Sequence, residues 1–68
     1  MNEDNLNMEI RKFLKKVGIT SQRIIENHIY EADKNGTIKA GDEIELNMTL
    51  SINNFQSSNR IDGKITIE

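Results

Sequence analysis

The stretch Glu31-Ala32-Asp33-Lys34-Asn35-Gly36-Thr37-Ile38-Lys39-Ala40-Gly41-Asp42 comes nearest to a metal site. With Gly36 at the sixth position of a calcium-binding EF-hand loop, Asp33 and Asn35 fall where oxygen ligands belong, and Ile38 falls at the apolar anchor. The two ends do not fit. The first position is Glu31, where a shorter Asp reaches the ion, and the twelfth is Asp42, too short for the usual bidentate Glu. Lys39 would place a cation beside the ion. From Ile44 onward the chain alternates as a strand, where the motif needs an exiting helix. The stretch therefore reads as a helix C-terminus and a turn, and no metal or other cofactor is expected.

His28 is the only histidine and there is no cysteine, so no second ligand of either kind can share an ion with it. Ser21, Ser57 and Ser58 supply hydroxyls, but no nucleophile elbow or triad spacing accompanies them. Asp42, Glu43 and Glu45 read as the solvated start of a strand. No catalytic residue is expected, and the protein does not read as an enzyme. His28 is expected to be a partly buried residue on a helix flank. Phe55 is expected to close one end of the core, because an aromatic ring buries so much area.

Gly18-Ile19-Thr20-Ser21 resembles the turn of a DNA-reading helix-turn-helix, with Ser21, Gln22, Arg23 and Asn27 as its base-contacting side chains. Leu14 stands where close helix crossing favours a small residue, and Asn27 where an apolar contact is expected. There is no third supporting helix. Residues 1–23 carry a charge of +2 and residues 24–68 carry −4, so the whole chain is acidic. Phosphate neutralisation supplies most non-specific affinity for DNA. Nucleic-acid binding is therefore the runner-up reading. The favoured contact residues are Met8, with Arg11, Lys12 and Lys15 around it, and Tyr30, with Arg23, Asn27 and Lys34 around it. Both project opposite the apolar stripes, and Met, Tyr and Arg are residue types that interfaces favour.

These residues need elements to hold them. Leu6, Ile10, Phe13, Leu14 and Val17 form one stripe at helical spacing, with acidic residues toward its start and basic residues toward its end. Gly18 is a left-handed stop for this first helix, and Ile19 folds back onto Leu14. A second helix follows, capped by Thr20 or Ser21, with Ile25, Ile29 and Ala32 as its inner stripe and Ile24 and His28 on the flank. Asn35-Gly36 ends it. Ile44, Leu46, Met48, Leu50 and Ile52 then alternate with polar residues as one strand, and Ile61, Gly63, Ile65 and Ile67 repeat the pattern. The polar stretch Asn53 to Arg60 joins the two as a hairpin. Thr37-Ile38-Lys39 is long enough for a very short third strand. The expected fold is α+β: an N-terminal helical hairpin packed on an antiparallel β-hairpin in two layers, one domain over residues 1–68.

A chain of 68 residues buries a limited core, and without cysteine no disulfide helps. The lack of cysteine also points to a reducing, cytoplasmic setting. No apolar run is long enough for a membrane span, and the polar start Met1-Asn2-Glu3-Asp4 is unlike a targeting peptide. Ile10-Arg11-Lys12-Phe13-Leu14-Lys15 and Val17-Gly18-Ile19-Thr20-Ser21-Gln22-Arg23 resemble stretches of a family of very short bacterial proteins with no assigned function. The resemblance implies a stand-alone bacterial protein with no catalytic residues to carry over. The expected role is protein–protein contact with an unidentified partner, or self-association as a homodimer. The outer edge of Ile44–Asn53, which has no Pro and no Lys to block it, is slightly favoured over the Met8 and Tyr30 surface.

Overall fold

The structure is a computed structural model that describes all residues from Met1 to Glu68. It consists of one helix, α1 (Glu3–Lys34), and two strands, β1 (Glu43–Ile52) and β2 (Ser57–Thr66), joined by a 3-10 turn (Asn53–Phe55). The chain divides into two compact units, Met1–Thr37 and Ile38–Glu68.

The first unit corrects the expectation of a helical hairpin. The helix runs 32 residues without a break, straight through Gly18-Ile19-Thr20-Ser21. The reason lies in the phase of the apolar residues. At about 100° per residue, the stripe Leu6–Ile10–Leu14–Val17 continues without a shift into Ile24, Ile25, His28 and Ala32. A turn would break a face that an unbroken helix keeps whole. Gly18 has an ordinary negative φ, and it weakens the helix by only about 1 kcal/mol relative to Ala. Thr20 and Ser21 cap nothing, and Ile19 lies exposed in mid-helix instead of folding back onto Leu14.

Both ends of α1 are capped. Asn2 Oδ1 accepts a hydrogen bond from the Asn5 N–H at 3.0 Å, and Glu3 and Asp4 occupy the first turn. At the other end Gly36 adopts φ 71°, as expected for Asn35-Gly36. Its N–H donates to Asp33 O at 3.1 Å, and the Thr37 N–H donates to Ala32 O at 2.9 Å, the paired bonds of a Schellman stop.

The second unit is an antiparallel hairpin with a register that sorts its residues by face. Ile44 pairs with Ile65, Leu46 with Gly63 and Met48 with Ile61, so the apolar residues of both strands share one face. Glu45 pairs with Lys64, Asn47 with Asp62 and Thr49 with Arg60 on the other. The connection is shorter than expected, because Ser57–Arg60 join the ladder opposite Thr49–Ile52. Nothing in Ser-Ser-Asn-Arg forbids a strand, and each added pair satisfies backbone groups. Gln56 closes the turn in the left-handed region, at φ 51°. Phe55 sits at the hairpin tip and is 77% exposed, so it closes no core. Thr37-Ile38-Lys39 form no third strand. Beyond them Asp42 accepts the Lys39 N–H at 3.0 Å through Oδ2, and Gly41 adopts φ 96°. The Gly41 N–H donates to Ile67 O at 2.6 Å, and the Ile67 N–H donates to Asp42 O at 2.8 Å. Two residues thus oppose one in a glycine-led bulge that opens the hairpin.

No residue in either unit is buried. The apolar face of the hairpin is at best half-buried, at Ile44 and Leu46.

Candidate interaction surfaces

On a single helix, the residues proposed for contact take a different arrangement from the one expected on two. Met8 and Tyr30 are 53% and 62% exposed. Their 22-residue separation leaves them on nearly the same side of α1, but roughly 33 Å apart along its axis. They are the ends of a sparse line, Met8–Ile19–Tyr30, spaced eleven residues apart. A shallow depression beside Met8 is lined by Asp4, Asn7, Arg11, Lys12 and Lys15, and a second by Lys12, Lys15, Lys16, Ile19 and Thr20. The basic residues cluster here because they share successive turns. Lys12 forms an exposed pair with Glu9 at 3.8 Å, which leaves most of that charge to solvent. Arg23 lies two to three turns further on and does not join the Met8 group.

The broader surface is on the opposite face. Leu6, Ile10, Phe13, Leu14 and Ile24 are each at least 41% exposed, while Val17, Ser21, Ile25, Ile29 and Ala32 are half-buried. His28 is exposed, not half-buried as expected, and it stands in the middle of this stripe. Two helices divided at Gly18 would split these residues between them, whereas the single helix joins them. The signal was their common phase across Gly18, which a 3.6-residue period carries from Leu6 to Ala32.

Ser21, Gln22, Arg23 and Asn27 lie within the same unbroken helix, so the turn a helix-turn-helix reader requires is not formed. Gln22 Nε2 donates to Glu26 Oε2 at 3.4 Å. The EF-hand-like residues divide between the end of α1, its Schellman stop and the following turn. No group of three Asp, Glu or His side chains gathers in a position to hold a metal ion. On the wet face of the hairpin, Arg60 Nε meets Asp62 Oδ1 at 2.7 Å and Lys64 Nζ meets Glu43 Oε2 at 3.7 Å. All four side chains are well exposed, so these pairs organise the face more than they stabilise it. No helix is long and apolar enough to cross a membrane.

Together these features define a small α+β protein, in which an uninterrupted amphipathic helix precedes a β-hairpin with one apolar face. A family model described as "Family of unknown function (DUF6494)" matches residues 1–68, and the chain belongs to that family. No curated protein and no solved structure gives a significant match.

Proposed function

We propose that the protein is a non-catalytic self-associating module, with the apolar stripe of α1 as its principal contact surface. One observation carries this reading: 35% of the residues are hydrophobic, yet none is buried. Folding free energy comes mainly from apolar area removed from water. A lone helix and a lone two-stranded hairpin are each marginal without such burial. Covering the stripe in an assembly supplies the core that one chain lacks, as small domains without disulfides or metals commonly require.

The open edge of β1 supports a second contact of the same kind. The hairpin has only two strands, so each presents one unpaired edge, and β1 carries neither Pro nor Lys along its ten residues. The helix stripe ranks first because side chains in one continuous row bury more apolar area than a strand edge.

Sedimentation across a concentration series tests the proposal. The expected result is a mass above the 7.8 kDa monomer, rising with concentration. A cooperatively folded monomer at the highest soluble concentration overturns it.

A further inference from the structure

Resting on that self-association, we infer that the open edge of β1 pairs with β1 of a second copy, antiparallel about a two-fold axis at Met48. The bond from the Ile67 N–H to Asp42 O sets the alternation of the ladder, so the N–H and C=O groups of Glu45, Asn47, Thr49 and Ser51 point away from β2. A further strand satisfies them, and the row of side chains beside them selects which strand. Ile44, Leu46, Met48, Leu50 and Ile52 read the same in both directions. Antiparallel about Met48, Ile44 lies opposite the partner's Ile52, Leu46 opposite the partner's Leu50, and Met48 opposite the partner's Met48. The row thus complements its own copy, as a two-fold contact requires. The dry faces of the two hairpins join in one four-stranded sheet. Met48, Leu50 and Ile52, each at least 37% exposed in the single chain, gain cross-strand neighbours there.

Charge selects the edge and the orientation. From Leu46 to Asn59 the chain carries no charged residue, so most of the β1 edge is unguarded. On β2, Arg60, Asp62 and Lys64 follow one another along the wet face, and charges of this kind guard an edge. Pairing through β1 therefore leaves only guarded edges outside, and the sheet closes at four strands instead of growing. A parallel pairing in register would set Glu43 and Glu45 beside their own copies, two like-charge contacts. The antiparallel pairing sets Glu45 opposite the partner's Ser51 and Asn47 opposite the partner's Thr49. Moving the axis to Asn47 brings Ile52 level with the partner's Asp42, and moving it to Thr49 brings Ile44 level with the partner's Asn54. The axis at Met48 keeps all five apolar residues matched.

Mass alone does not read this contact, because α1 can hold copies together without it. Disulfide trapping does, and the chain has no cysteine of its own. Met48 meets its copy at a position without hydrogen bonds, where Cα atoms lie about 4.5 Å apart, inside the disulfide limit of about 7 Å. Met48→Cys is expected to cross-link into a covalent dimer under mild oxidation. Leu46→Cys alone is expected not to, since its two copies stand four residues apart along the strands, roughly 13 Å. Mixed with Leu50→Cys, it is expected to cross-link. Adding Thr49→Pro to Met48→Cys removes an N–H that donates to the partner's Asn47 C=O, and is expected to abolish the cross-link. A wild-type monomer in sedimentation removes both the self-association and this pairing. A wild-type assembly in which neither Met48→Cys nor the Leu46→Cys and Leu50→Cys mixture cross-links, or in which Leu46→Cys cross-links alone, overturns the pairing and leaves self-association standing.

Discussion

Three single residues carry backbone consequences that can be measured. Gly18 lies in mid-helix with an ordinary φ, and nothing lies within 4 Å of where its Cβ would be. Gly18→Ala removes unfolded-state freedom without a clash, and is expected to raise stability by about 0.5–1 kcal/mol in thermal unfolding. A left-handed stop at that position, as the sequence alone implied, predicts the opposite sign. Gln56 is the one non-glycine residue with positive φ, at 51°. Gln56→Gly is expected to stabilise the hairpin by about 1 kcal/mol, read from the denaturant midpoint. Asn2→Ala removes the cap on the Asn5 N–H and is expected to cost about 1 kcal/mol, visible as lost helical circular dichroism. Of the candidate contact residues, Met8, Arg11, Lys12 and Lys15 were legible as a group because about two turns of one helix suffice to place them. Tyr30 and Arg23 were not, because their distance from Met8 depends on whether the chain turns at Gly18.

Among the elements, the hairpin followed from its alternation, and its dry and wet faces stand as the sequence implied. What the sequence left open was the extent of β2, since Ser57–Arg60 have no apolar alternation to announce a strand and enter it by completing the ladder. The helix was misread for the converse reason. Gly18 beside Thr20 and Ser21 carries every local mark of a stop, and local marks lose to a stripe that stays in phase for about seven turns. The Asp42–Ile67 bond fixes the alternation of the ladder, so the Thr49 N–H points to the outer edge of β1. Thr49→Pro is therefore expected to leave the hairpin intact while blocking edge pairing. If the helix stripe is the principal contact, sedimentation of Thr49→Pro matches the wild type. A loss of assembly would move the interface to the strand edge.

The whole molecule was legible in its class, an α+β chain of one family of unknown function, but not in its core. A sequence shows which residues are apolar and in what period, and not whether their cover comes from the same chain or another. No residue in either unit is buried, and under the proposed self-association a second copy supplies the cover. The unfolding temperature is accordingly expected to rise with protein concentration, because association stabilises only the folded state. A midpoint that stays constant over a hundredfold dilution would count against the assembly.

Within each unit, partners lie close along the chain, and that sets the pace of folding. A helix contacts residues no more than four apart, and the hairpin's widest ladder pair, Glu43 with Thr66, encloses a short segment. Low contact order of this kind places chain organisation in microseconds to milliseconds. If the chain self-associates as proposed, the slow step is the meeting of two chains. Stopped-flow refolding followed by circular dichroism is expected to show a fast phase independent of concentration, then a second phase with a rate proportional to it.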